Sequence, residues 1–226
     1  MNLDKDIKKY LTRDAIDRRC HSWHLLNDEE MEIMWNQTQA YRDGPVPESS
    51  YFLSKRYQVE SDATVLGKSW NETKQNAIHA LKSNFPYICQ VLNTFKDTIV
   101  VAGGSVFRAL HNKLDRSCDI DIFFVNVTPE KANEVRLSLL TILIGIWMKS
   151  CSSMPEILVR KVYVTRNEFA TSLYLIAELT NFEHLKYHVY KYQLIHRIYP
   201  NIASILGGFD LGPSMMAFDG TNFLAT

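Results

Sequence analysis

The feature that most constrains this chain is Thr98-Ile99-Val100-Val101-Ala102, a short β-branched run that ends directly in Gly103-Gly104. Such a run bounded by glycines is how a buried strand feeding a tight turn looks in sequence. Around it, Ser105 to Asn112 is predicted as a short helix and Ile120 to Val125 as a second strand. Thr128 is placed to cap a long helix, with Pro129 at its first position and Glu130 just inside, reaching to about Lys149. Ile157 to Thr165, Thr171 to Glu178 and Tyr187 to Ile198 have strand-like composition. Pro200 to Leu206 can form one or two helical turns, and Phe209 to Phe218 is predicted as a last strand. The succession of helices, strand, helix, strand, helix and then several strands predicts an α+β fold with a mixed sheet rather than a doubly wound parallel one.

Upstream, residues from about 70 to 95 read as helical, with Pro86 either interrupting the run or starting a second helix. The first forty residues also read as helices. Asn27 can cap a segment whose first turn holds Asp28, Glu29 and Glu30, and Met31, Met34 and Trp35 then recur at helical spacing as a packing stripe. Gly44-Pro45-Val46-Pro47-Glu48-Ser49-Ser50 is the clearest break. It divides the expectation into a helical N-terminal appendage, residues 1–50, and an α+β domain, residues 51–226, with the appendage as a surface for a protein partner.

Composition limits the partners. Lysine plus arginine and aspartate plus glutamate both number 25, so no global positive field draws the chain to nucleic acid or an anionic membrane. Cys20, Cys89, Cys118 and Cys151 form no CxxC pair, and the opening Met1-Asn2-Leu3-Asp4-Lys5-Asp6 is no signal peptide. The expectation is therefore a cytoplasmic protein with reduced thiols. The apolar stretch Leu137 to Met148 is short for a bilayer and reads as a core helix, with no membrane partner.

Chemistry concentrates at Asp119-Ile120-Asp121-Ile122. With a strand period of two, both carboxylates face one side and both isoleucines the other. Two like charges side by side raise each other's pKa unless a cation sits between them, and hard divalent cations prefer such oxygens. Alone, the pair reads as the wet face of a half-exposed strand. The preceding Val101-Ala102-Gly103-Gly104-Ser105 follows a strand and opens a helix, so its backbone can approach a ligand and its amides can face a phosphate. Arg108 lies one turn further on. The tract with His184, Lys186, His188, Lys191, His196 and Arg197 interleaves Tyr187, Tyr190 and Tyr192. It is read as alternating strand residues, or as a nucleic-acid track with stacking. His21 and His24 are read as surface or packing residues.

Gly103-Gly104-Ser105 and Asp119-Ile120-Asp121 resemble the nucleotidyltransferase superfamily typified by DNA polymerase β, and the longer string through Phe124 looks like nucleotidyltransferase-like proteins of large DNA viruses and fungi. Gly208-Phe209-Asp210 and Phe218-Asp219-Gly220 extend the likeness, which covers roughly residues 98 to 222. The resemblance implies a nucleotidyltransferase-like fold and metal-dependent nucleotidyl transfer from an NTP such as ATP to a hydroxyl acceptor: an RNA end, a small molecule or a protein. It implies Asp119, Asp121 and Asp210 as catalytic residues and ligands of Mg2+ or Mn2+, with Gly103, Gly104, Ser105 and Arg108 binding nucleotide. Asp210 has the alternative of a solvated turn acid, because Gly212-Pro213 interrupts a strand there, and Asp219 reads as a hairpin-turn residue. The rival expectation is a catalytically inactive nucleotidyltransferase-like scaffold, or a virion or interaction protein.

Overall fold

The computed structural model describes residues 25–26, 29–33, 69–155, 157–181 and 184–225. Expectations for Cys20, His21, His24, Asn27, Asp28, Met34, Trp35 and the Gly44 to Ser50 break lie outside them. The described chain is a mixed α+β fold: α1 (Trp70–Asn84), α2 (Ile88–Thr94), β1 (Ile99–Ala102), α3 (Gly104–Leu110), β2 (Asp119–Val125), α4 (Pro129–Ser152), β3 (Ile157–Arg166), β4 (Ala170–Asn181), β5 (His184–Tyr199), α5 (Ile202–Leu206), β6 (Met216–Phe218) and β7 (Phe223–Ala225). The strands form one seven-stranded sheet in the order β3-β4-β5-β2-β1-β6-β7. β2 and β5 run parallel and the other pairs are antiparallel.

Local chemistry explains the boundaries. Ser69 caps α1 with its hydroxyl accepting from the Glu72 amide, while the Glu72 carboxylate accepts from the Ser69 amide, a reciprocal capping box. Pro86 falls in the turn between α1 and α2, so it divides the helical run. Thr128 Oγ1 accepts from the Lys131 amide at 3.3 Å and Pro129 opens α4.

Helix α4 places Val135, Leu139, Leu143, Trp147 and Cys151, spaced by four residues, on the core. Leu140 and Ile146 are only partly buried and flank it. Over its 24 residues α4 is long and apolar enough, by length and hydropathy, to cross a bilayer, which corrects the shorter apolar stretch read from sequence. In the structure it instead lies against one face of the sheet, next to Leu173, Leu175, Tyr192 and Leu194 in the same core. Residues 29–33 are helical, and Met31 is buried in that core.

The alternation in β2 reports where the second sheet face is covered. Ile120 and Ile122 are fully buried against the helices, while Asp119 and Asp121 look out from the opposite face. From Phe123 onward both faces are covered, because Ile205 and Leu206 of α5 and Phe209 pack on Phe123, Val100 and Ala102. β1 is buried along its whole length for the same reason, as its continuous apolar run implies. Past Phe209 the sequence expectation is corrected. Instead of a strand from Phe209 to Phe218, the chain makes a 3-10 turn at Gly212–Ser214 and pairs only from Met216. Pro213 has no amide hydrogen to give a ladder there.

Candidate functional site

The turn from β1 into α3 is built on Gly103, whose φ of 97° lies in the region that L side chains rarely adopt. Its amide donates to the Met216 carbonyl at 2.9 Å, tying the turn to β6. A Cβ here would come within 3.1 Å of Phe209 Cζ. Phe209 also meets Phe123 edge-on, at 5.9 Å between ring centroids. The aromatic of Gly208-Phe209-Asp210 therefore works as the wedge under the glycine turn. Gly103→Ala is expected to destabilise by about 1 to 3 kcal/mol through the positive φ and this contact. A denaturation midpoint equal to wild type would mean that the turn relaxes freely.

Above the turn lies an open cavity of about 340 Å³, lined by Gly104, Ser105 and Arg108 on one side and by Ser117, Cys118, Asp119 and Asp121 on the other. A Cβ on Gly104 would meet nothing within 4 Å, so the backbone here is open to a ligand. Ser105 is 5% exposed and its hydroxyl has no hydrogen-bond partner among the described residues. A buried hydroxyl without a partner costs free energy unless something else binds it. Arg108 Nη1 donates to Cys118 Sγ at 3.6 Å.

The parallel register sets Lys191 beside Asp119 and Gln193 beside Asp121. Lys191 Nζ donates to Asp119 Oδ2 at 2.5 Å. With its amide turned to satisfy both neighbours, Gln193 donates to Asp121 Oδ1 at 3.0 Å and accepts from Lys191 at 3.2 Å. One ammonium thus faces two carboxylates. Burial, and then the charge of Asp119, push Asp121 up to about 6, with Lys191 offsetting part of this. The hydrogen bond to Asp119 raises Lys191.

Asp119, Asp121, Gly104, Ser105 and Arg108 are therefore brought together, and Gly103 shapes the turn beneath them. Asp210 is not among the residues lining the cavity. It sits exposed in a bend beyond α5, as its turn-acid alternative implies. Asp119 is already paired with the chain's own Lys191, and among the described residues no three His, Cys, Asp or Glu side chains group as a metal site. This arrangement does not fit a three-carboxylate metal set. Lys191 and Gln193 complete the site without having been singled out for it, because strand pairing across the intervening α4, β3 and β4 is not written in local sequence. The tyrosines of the basic tract divide by parity. Tyr190 and Tyr192 are buried, with Phe85 edge-on to both, whereas Tyr187 is exposed. The side chains of His184 and Lys186 are outside the described set.

A family model described as Gabija anti-defense 2 family protein matches residues 69–226, well over half of the chain. The chain belongs to the Gabija anti-defense 2 family. A curated relative, uncharacterized protein R883 of Acanthamoeba polyphaga mimivirus, is 34% identical over 136 residues, 57% of this chain. The chain spans 27% of that relative's length. Membership of the Gabija anti-defense 2 family overturns the nucleotidyltransferase assignment drawn from the two motifs, and with it nucleotidyl transfer from ATP or another NTP with magnesium. Neither match names such an activity. The physical reason is that a glycine turn beside a pair of strand acids is generic, and one fold serves many functions.

Proposed function

We propose that this chain is a counter-defence protein directed against a Gabija-type antiviral defence, and that the cavity over Asp119 and Asp121 is where it engages its target. The family match carries this reading, since its span, residues 69–226, is the span that builds the sheet and the cavity. The cavity supports it further. An unpartnered Ser105 hydroxyl, an open Gly104 backbone and a carboxyl held at an unfavourable ionisation are groups left ready for a ligand rather than used for the fold.

In this reading residues 1–50 are a docking appendage. Met31 in the core and a bond from the Leu26 amide to the Ala225 carbonyl, at 3.0 Å, hold its described part to the body. The chain acts in the cytoplasm, where it meets the defence.

The test is phage plating on bacteria carrying a Gabija system, with and without the chain. Wild-type chain should restore plating toward the level seen on cells lacking the defence. Undiminished defence in cells that contain soluble chain would overturn the proposal.

A further inference from the structure

A second recess lies on the opposite, helix-covered face of the sheet, between the first turns of α4, the β3–β4 hairpin and β5. Arg136, Arg166 and His196 converge on it, with Glu168 as the only acid among the described residues that line it. Its volume is about 330 Å³. Among the described residues neither arginine makes an ion pair, with Glu168 or any other acid. Arg136 Nη2 donates to the Asn133 side chain, which keeps the guanidinium at the wall of the recess. The like charges are felt: burial, then the charge of Arg166, disfavour the protonated form of Arg136, and burial foremost holds His196 below its ordinary range.

His196 is fixed by its own bonds. Its Nδ1 donates to the Glu168 carbonyl at 3.3 Å, so Nε2 accepts from the Thr171 hydroxyl at 2.7 Å in the neutral ring. The imidazole therefore serves as a wall, and the two guanidiniums supply the unspent donors. Apart from Asn133, the rest of the lining is apolar, with Phe124, Pro129, Ala132 and Ile198. Guanidinium forks match the oxygens of a phosphate, and an apolar floor matches an organic group attached to it. The chain has no net charge to attract a long polyanion, which favours a small ligand over a nucleic-acid backbone.

We propose that the Arg136–Arg166 recess is a binding site for a small organic phosphate monoester, held by the two guanidiniums over the Phe124 and Ile198 floor. This site is separate from the Asp119–Asp121 cavity and does not depend on the counter-defence reading.

The test uses the full chain with phenyl phosphate and inorganic phosphate, against chloride at matched ionic strength, by calorimetry and thermal unfolding. Phenyl phosphate should bind, inorganic phosphate should bind more weakly, and Arg136→Gln and Arg166→Gln should each weaken binding by about tenfold or more. Both variants should keep or raise the melting temperature without ligand, since each removes one of two repelling charges. Lys131→Gln, on the same helix but paired with Glu134, should bind as wild type does. Absence of binding by wild type, retained affinity in both arginine variants, or an equal loss in Lys131→Gln would each overturn the proposal. So would preferential binding of a short DNA duplex over phenyl phosphate.

Discussion

Leu143→Ala should lower the unfolding free energy by about 2 to 5 kcal/mol, because it removes a fully buried side chain from the middle of the α4 stripe. Val135, Leu139 and Trp147 stand one turn or two away on the same face, and Leu173, Leu175 and Leu194 lie in the same core. A rigid sheet on one side and a 24-residue helix on the other cannot both move inward, so a cavity remains. For a chain of this size the loss corresponds to a melting temperature lower by roughly 4 to 20 °C. Leu137→Ala is the control. Leu137 is 55% exposed on the far side of the same helix, and its removal should change stability by less than about 0.5 kcal/mol. Equal effects from the two substitutions would mean that α4 presents a different face to the sheet.

Asp121→Asn should stabilise the protein at neutral pH. The folded state holds the Asp121 proton up to about 6, whereas the ordinary value is 3.8. Below 3.8 both states are protonated and the folded one loses nothing. As pH rises from there through 6, the unfolded chain ionises first, and stability is lost across that window. The gap converts to about 3 kcal/mol at neutral pH. Asparagine keeps an acceptor for Gln193 and carries no charge, leaving Lys191 and Asp119 as a balanced pair. The variant should therefore match wild type near pH 4 and exceed it increasingly up to about pH 7, in urea unfolding followed across that range. A difference that does not change with pH would show that Asp121 titrates as an ordinary aspartate.

Much of the fold was legible because it is local. The β-branched run before Gly103-Gly104, the Thr128-Pro129-Glu130 start of α4 and the long alternating β5 each carry their own signal, and each element formed within a few residues of its expected bounds. Ser69-Trp70-Asn71-Glu72 carries a capping box equally openly. The pairing of acids on one face of β2 was legible for the same reason, since a strand has period two. The tail misled because Gly208-Phe209-Asp210 looks like chemistry around an acid, when its fixed point is Phe209 under Gly103 and Asp210 is left in a bend. Lys191 was not legible as a site residue, because its place beside Asp119 depends on a parallel pairing between residues 72 positions apart in the chain. Function was least legible: the two motifs describe only a local geometry, and the family that matches residues 69–226 is described as an anti-defense one.

The direct test of the account compares wild type and Asp121→Asn in phage plating on Gabija-carrying cells, with soluble protein levels measured in the same cultures. If the cavity is the working site, wild type restores plating while the folded, more stable Asp121→Asn does not. Restoration by Asp121→Asn equal to that by wild type would contradict the claim that counter-defence runs through the Asp119–Asp121 cavity.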